Sequence, residues 1–165
     1  MLVAGCGSES QNKSETAATT NAADATPAKT KSQASASPAG TKRKSRAKGT
    51  TVTVVSSQYG PVVADSRGEA FYLFASEKSG RSRCYGTCAQ RWPPVLADGT
   101  PRAGPGADGR LLGASRRTDG KMQLTYAGHP MYYYAGDAPG RILCQGVNEF
   151  GGLWLVVRPS GKPVI

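Results

Sequence analysis

Two short aromatic motifs, each followed by a carboxylate, contain the residues of this chain that are best suited to polar chemistry. They span residues 72–77 and 132–137, and their key members are Tyr72, Phe74, Glu77, Tyr132, Tyr134 and Asp137. On a β-strand, residues two apart share a face, so in each motif the tyrosine lies beside the next aromatic residue. The carboxylate follows three residues later, where the strand is expected to turn.

Three interpretations of this motif are open. We expect a structural corner, in which a tyrosine hydroxyl or a turn amide hydrogen-bonds the carboxylate while the ring fills the core. The second interpretation is a shallow aromatic and acidic site that stacks a sugar or an aromatic ligand. The third is general acid–base catalysis by Glu77 and Asp137, which requires carboxyls about 5–10 Å apart across a cleft. We assign no catalytic residue from the sequence.

The cysteines form a second set of candidates. Cys84 and Cys88 are separated by three residues, and in an exported protein they most simply form a disulfide that closes a short loop. Cys144 is then left over as a buried thiol, as a site of intermolecular pairing or as the true partner of Cys84. Two alternatives are redox chemistry at a labile disulfide and a copper or other soft-metal site that adds His129 to these cysteines. His129 is the only histidine, and we expect it in a turn and not on a metal.

Large apolar residues are absent from a long stretch near the start of the chain. Residues 7–50 contain no Val, Ile, Leu, Met, Phe, Trp or Tyr, so they cannot bury enough surface to offset the entropy of ordering them. We therefore expect a disordered tether at residues 7–50 and one folded domain at residues 51–165. A domain of this size excludes a large enzyme with separate cofactor and substrate domains. A spanning helix is also excluded, because no apolar run approaches the roughly 20 residues that a bilayer requires.

The first six residues indicate how the tether is attached. Val3-Ala4-Gly5-Cys6 resembles the bacterial lipobox, in which small residues precede a cysteine that is diacylated and becomes the mature N-terminus. We expect residues 1–6 to be the remnant of a truncated signal sequence, with Cys6 as the lipidation site. The sequence thus predicts a protein held by lipid on the extracytoplasmic face of the cell membrane.

Basic residues outnumber acidic ones, 21 to 11, for a net charge of +10. The densest basic run lies in the tether and comprises Lys42, Arg43, Lys44, Arg46 and Lys48. This run is interpreted either as a solvated, self-repelling spacer or as a contact with an anionic envelope surface. Nucleic acid is not expected as a partner, because no nucleic-acid-binding motif accompanies the run.

An internal repeat organises the folded domain. Residues 60–96 and 120–157 align at an offset of 60, which superposes the two aromatic motifs. With a further shift of two residues, Trp92 meets Trp154. Two copies indicate a duplication rather than an open solenoid, which usually needs three or more units.

The local patterns within the domain predict strands. Runs of β-branched and aromatic residues bounded by turn residues occur at 51–55, 70–74, 121–126, 130–134 and 153–157. Alternation in the third run places Met122, Leu124 and Tyr126 on one face. Residues 97–109 are rich in Gly, Pro and Asp and predict a surface loop, and no stretch predicts an amphipathic helix. The expected fold is all-β, with two tandem antiparallel β repeat units packed as one small domain.

The ends of the two copies carry a resemblance to a known family. The first ends Cys84-Tyr-Gly-Thr-Cys88-Ala-Gln-Arg-Trp92, and the second ends Gly146-Val-Asn-Glu-Phe150-Gly-Gly-Leu-Trp154. With the two Tyr-x-aromatic-x-x-acid motifs, these endings resemble the repeat of a family of secreted bacterial lipoproteins without an established molecular function. The resemblance covers residues 51–159. Glu77 stands where the family usually has Asp, and Cys144 stands where a small or polar residue is expected.

Together these features predict a membrane-anchored extracytoplasmic lipoprotein with a non-enzymatic role in binding or envelope maintenance, and no cofactor. Phosphate-binding loops, Ser-His-Asp sets and metal-hydrolase motifs are absent from the sequence. The competing class is a redox, electron-transfer or soft-metal protein that uses Cys84, Cys88 and Cys144.

Overall fold

A computed structural model describes residues 49–165 of the chain. Its strands are β1 Thr51–Ser57, β2 Gly60–Asp65, β3 Tyr72–Phe74, β4 Arg102–Ala103, β5 Leu112–Arg116, β6 Met122–Tyr126, β7 His129–Tyr132, β8 Val147–Glu149 and β9 Gly152–Val156. The helical elements are α1 Thr87–Arg91 and a 3-10 turn at Gly109–Leu111. The all-β prediction is therefore confirmed for the described residues. Cys6, residues 7–48 of the tether and the basic run at residues 42–48 lie outside them.

Tight turns join neighbouring antiparallel strands. β1 and β2 pair antiparallel across a two-residue loop, with Ser57 opposite Gly60. β6 and β7 are joined by Ala127 and Gly128, both at positive φ (50° and 80°). Such turns match the right-handed twist of the strands they connect, and glycine reaches positive φ without steric cost.

The strands form two sheets. A three-stranded sheet has the order β2-β1-β4, and a six-stranded sheet has the order β5-β6-β7-β3-β9-β8. β3 lies in the middle of the larger sheet, between β7 and β9. All three residues of β3 are buried.

Successive residues of the central strands enter two different core clusters. Tyr72 and Phe74 belong to a cluster rich in aromatic residues, whereas Phe71 and Leu73 belong to a mainly aliphatic one. β9 divides in the same way, with Trp154 in the first cluster and Leu155 in the second. The two side-chain directions of each strand thus supply two cores, one on either face of the sheet.

The two repeats meet at the pair of strands β3 and β7. These strands run antiparallel, and Tyr72 lies directly opposite Tyr132, its equivalent in the other repeat. Antiparallel pairing of equivalent residues places the repeats around an approximate two-fold axis. The corresponding side chains of both motifs are therefore brought to one place in the core.

Two local predictions differ from the structure. Residues 97–109 include β4, which pairs parallel to β1, so the segment is not wholly a loop. In β6, Met122 is 41% exposed, and Gln123 is as fully buried as Leu124 and Tyr126. Gln123 is buried because its side chain accepts a hydrogen bond from Arg117 and donates one to the Met131 carbonyl, so the predicted alternation of buried and exposed residues does not hold in β6.

Candidate functional site

Four aromatic side chains, two from each repeat, form a continuous stack in the core. Trp92 and Trp154 lie at the centre with ring centroids 4.1 Å apart and planes 6° from parallel. Phe74 stacks on Trp154 at 4.3 Å, and Tyr134 tilts against Trp92 at 4.9 Å. The second aromatic residue of each motif thus packs on the tryptophan of the other repeat. Because the stack crosses the two-fold axis, each repeat completes the core of its neighbour.

The motif carboxylates also cross between the repeats. The Tyr72 hydroxyl donates to Asp137 Oδ2 at 2.6 Å, and the Tyr132 hydroxyl donates to Glu77 Oε1 at 2.7 Å. We call this reciprocal pair of bonds the tyrosine–acid exchange. Each tyrosine therefore bonds the acid of the other copy of the motif and not its own.

A backbone amide also donates a hydrogen bond to each motif carboxylate. The Arg83 amide donates to Glu77 Oε1 at 2.6 Å, and the Leu143 amide donates to Asp137 Oδ1 at 3.0 Å. Both donors lie six residues after the acid, so each carboxylate closes its own turn while it bonds the opposite repeat. This geometry is that of a structural corner, and the exchange of hydroxyls between repeats adds a bond across the duplication.

The two acids differ in their environment. Glu77 is only 2% exposed, whereas Asp137 is half-buried. Burial raises the pKa of the Glu77 carboxyl, and bonds from Arg83 and Tyr132 and the charge of Arg117 lower it only in part. Burial likewise raises the pKa of Asp137 against the opposing bonds from Tyr72 and Leu143. Both bonds to Glu77 meet Oε1, and its buried Oε2 has no hydrogen-bond partner among the described residues, whereas Asp137 accepts one bond at each oxygen. Glu77 is also the more strongly sheltered from water.

The endings of the repeats hold the two tryptophans in place through one residue, Glu149. The Trp92 indole N–H donates to Glu149 Oε2 at 2.9 Å, and the Trp154 indole N–H donates to the Glu149 carbonyl at 3.1 Å. Phe150, which the sequence singles out beside it, is 49% exposed and adopts a positive φ of 54°. Glu149 was missed by the sequence reasoning, although an acid five residues before the second motif tryptophan is a detectable pattern.

A buried arginine extends the bonding around Glu77. Arg117 Nη1 donates to Ser82 Oγ at 2.6 Å and to Gln123 Oε1 at 2.7 Å. Ser82 Oγ lies 2.7 Å from the Tyr132 hydroxyl, which itself donates to Glu77. A chain of hydrogen bonds therefore runs from Arg117 through Ser82 and Tyr132 to Glu77. No sequence pattern marks Arg117, because it lies in a turn where an exposed residue is the default expectation.

The structure confirms the predicted disulfide and excludes two of the alternatives for Cys144. Cys84 and Cys88 form a disulfide with Cα atoms 5.2 Å apart. The pairing of Cys84 with Cys144 that the sequence left open is therefore not found. Cys144 is buried in the aromatic cluster and is not a free thiol. While the disulfide is intact, neither Cys84 nor Cys88 is a thiolate available to a metal.

The predicted soft-metal set is not brought together. His129 begins β7 at the end of the β6–β7 hairpin, opposite Tyr126. Within residues 49–165, the structure contains no group of three or more His, Cys, Asp or Glu side chains that could hold a metal ion. The described residues also contain no helix long and apolar enough to cross a membrane.

Comparison with known families supports the duplication seen in the fold. The model of a family described as a secreted repeat of unknown function matches residues 53–96 and residues 113–158. The chain belongs to this family. The two matched segments coincide with the two halves that the tyrosine–acid exchange joins, so one family unit is one repeat of this domain. No curated protein and no solved structure matches this chain.

Proposed function

We propose that this secreted repeat protein is a lipid-anchored extracytoplasmic module that binds a component of the cell envelope and catalyses no reaction. Membership of a secreted family supports a location outside the cytoplasm. Lipid attachment at Cys6 and contact of the basic run with an anionic surface are parts of the proposal that rest on the sequence.

One observation carries the non-enzymatic part of the proposal. Both motif carboxylates accept a tyrosine hydroxyl from the other repeat and a backbone amide from their own turn. A general acid or base must reach the proton that it transfers. Glu77, at 2% exposure, has no such access, so its carboxylate serves the fold.

Lipid attachment is tested by metabolic labelling in a bacterium with a clickable fatty acid, with the chain expressed behind a functional export signal. The wild-type chain should carry the label, and Cys6→Ser should lose it. Cys88→Ser is the matched control and should keep the label, because it removes a cysteine that is far from the lipobox. An unlabelled wild-type chain would contradict the anchoring proposal.

The competing redox or soft-metal function is tested on the same purified chain. Metal analysis and an absorption spectrum should show no stoichiometric metal and no visible chromophore. A metal bound at one equivalent, and lost on reduction or on mutation of Cys84, would replace the binding proposal with the redox one.

A further inference from the structure

A cavity of about 390 Å³ lies beside the buried arginine network. Its polar lining consists of the three arginines Arg81, Arg116 and Arg117 and the hydroxyl residues Ser82, Ser115 and Thr118. No carboxylate lines it. The volume falls within the range of about 300–1,000 Å³ that is common for small-molecule sites.

One of the three positive charges is fixed in place. The Arg117 side chain is 1% exposed, and its guanidinium donates to Cys84 O at 2.9 Å and to Asp119 Oδ2 at 3.2 Å, besides its bonds to Ser82 and Gln123. The ring of Tyr85 also covers it at 4.3 Å. A cation held on so many sides supplies positive potential without any cost of ordering when a ligand binds.

The remaining groups of the lining are available to a ligand. Arg81 and Arg116 are exposed, and neither forms an ion pair or a side-chain hydrogen bond with another described residue. The Ser115 hydroxyl is buried and has no hydrogen-bond partner among the described residues. A buried hydroxyl without a partner costs stability, and a bound acceptor removes that cost.

The other repeat provides an internal comparison. At the offset of 60, Ser82 corresponds to Ile142 and Gln123 corresponds to Val63, and both apolar residues are buried. The hairpin of β1 and β2, which corresponds to that of β5 and β6, contains no Arg or Lys. The fold is thus completed on that side without a buried arginine. Desolvating an arginine is costly, and the equivalent part of the other repeat folds without one.

We infer that this cavity binds a small soluble molecule that bears a phosphate group, which is a ligand in addition to the envelope component of the proposed function. Three guanidinium charges, less the carboxylate of Asp119 against Arg117, leave a local charge of +2. A phosphate monoester carries about −1.5 to −2 charges at neutral pH, which this charge neutralises. One guanidinium group binds two phosphate oxygens through two parallel N–H bonds, and the hydroxyl of Ser115 donates to a further oxygen. The cavity is larger than a phosphate group, so it also has room for a small organic substituent.

The inference is tested by NMR titration of the full-length chain at constant ionic strength, with inorganic phosphate and with glycerol 3-phosphate as probes. Both should perturb the amides of Ser82 and residues 115–118, and glycerol 3-phosphate should bind more tightly because it fills more of the cavity. In Arg81→Gln/Arg116→Gln the affinity should fall by about tenfold or more, as expected for the loss of charge-assisted bonds. Both arginines are exposed, so this variant should unfold at the same denaturant concentration as the wild type.

Arg141→Gln is the matched control, because Arg141 is exposed and occupies the position in the second repeat that Arg81 occupies in the first. It should leave the affinity unchanged within about twofold, since a distant exposed charge is screened by salt. If Arg141→Gln weakens binding of the phosphate probes as much as Arg81→Gln/Arg116→Gln does, the attraction is non-specific and the inference is overturned. If phosphatidylglycerol vesicles perturb these amides but neither soluble probe binds, the inference is overturned too. Neither result affects the lipid-labelling test of the proposed function.

Discussion

Replacing Tyr132 with Phe removes one hydroxyl from the core and leaves the shape of the ring unchanged. That hydroxyl lies 2.7 Å from Glu77 Oε1 and 2.7 Å from Ser82 Oγ. Its loss deprives a carboxylate that is only 2% exposed of one of its bonds, and water cannot easily replace it. Leaving a buried polar group without its hydrogen-bond partner costs about 1–3 kcal/mol, so we expect the free energy of unfolding to fall by about 2 kcal/mol.

Tyr134→Phe provides the matched control. Tyr134 belongs to the same aromatic cluster and is 8% exposed, but its hydroxyl makes no hydrogen bond to a described residue. We expect its loss to change stability by less than about 0.5 kcal/mol. Urea denaturation at neutral pH, followed by far-ultraviolet circular dichroism, measures both variants against the wild type. If Tyr132→Phe is no less stable than Tyr134→Phe, the corner role assigned to Glu77 and Tyr132 is wrong.

Two further predictions concern Glu77 and the disulfide. Because the pKa of Glu77 is raised above its ordinary value of 4.5, its stabilising contribution is complete at low pH and is lost as the pH rises through the raised pKa. Denaturation of the wild type and of Glu77→Gln from about pH 4 to about pH 8 should therefore show the wild type losing stability relative to the variant, and a relative gain would contradict the shift. Trypsin should release Cys84–Arg91 as one peptide that resists alkylation before reduction and is two hydrogens lighter than its reduced form. A doubly alkylated peptide from unreduced protein would contradict the disulfide between Cys84 and Cys88.

The sequence predicted the architecture well where the pattern is local or repeated. The duplication is visible in the spacing of identical residues, and the strand predicted at 153–157 is apolar because Trp154 and Leu155 enter different core clusters. The bond between tyrosine and acid was likewise expected from the residue types. Its exchange between repeats could not be predicted, because two copies of one motif satisfy the same bonds within a repeat or across the axis. Only the antiparallel pairing of Tyr72 with Tyr132 decides between them.

Buried polar residues were the other failure of prediction. Gln123 occupies a strand whose alternating pattern predicted it on the face opposite Leu124, and it is buried because its side chain bonds Arg117 and the Met131 carbonyl. Arg117 follows β5 directly. It is buried because its guanidinium donates hydrogen bonds to Ser82, to Gln123 and to the Cys84 carbonyl. These partners lie far apart in the sequence, and no local periodicity brings them together.

A double-mutant cycle tests most directly the claim that the motif carboxylates join the two repeats. The cycle combines Tyr72→Phe with Asp137→Ala, and unfolding free energies are measured for the wild type, both single variants and the double variant. We predict a coupling energy of about 1 kcal/mol or more, since the two groups are in contact. The cycle of Tyr72→Phe with Glu77→Ala, which joins residues of the same motif, should be additive within about 0.5 kcal/mol. Coupling in the second cycle and additivity in the first would place the bonds within each repeat and contradict the exchange.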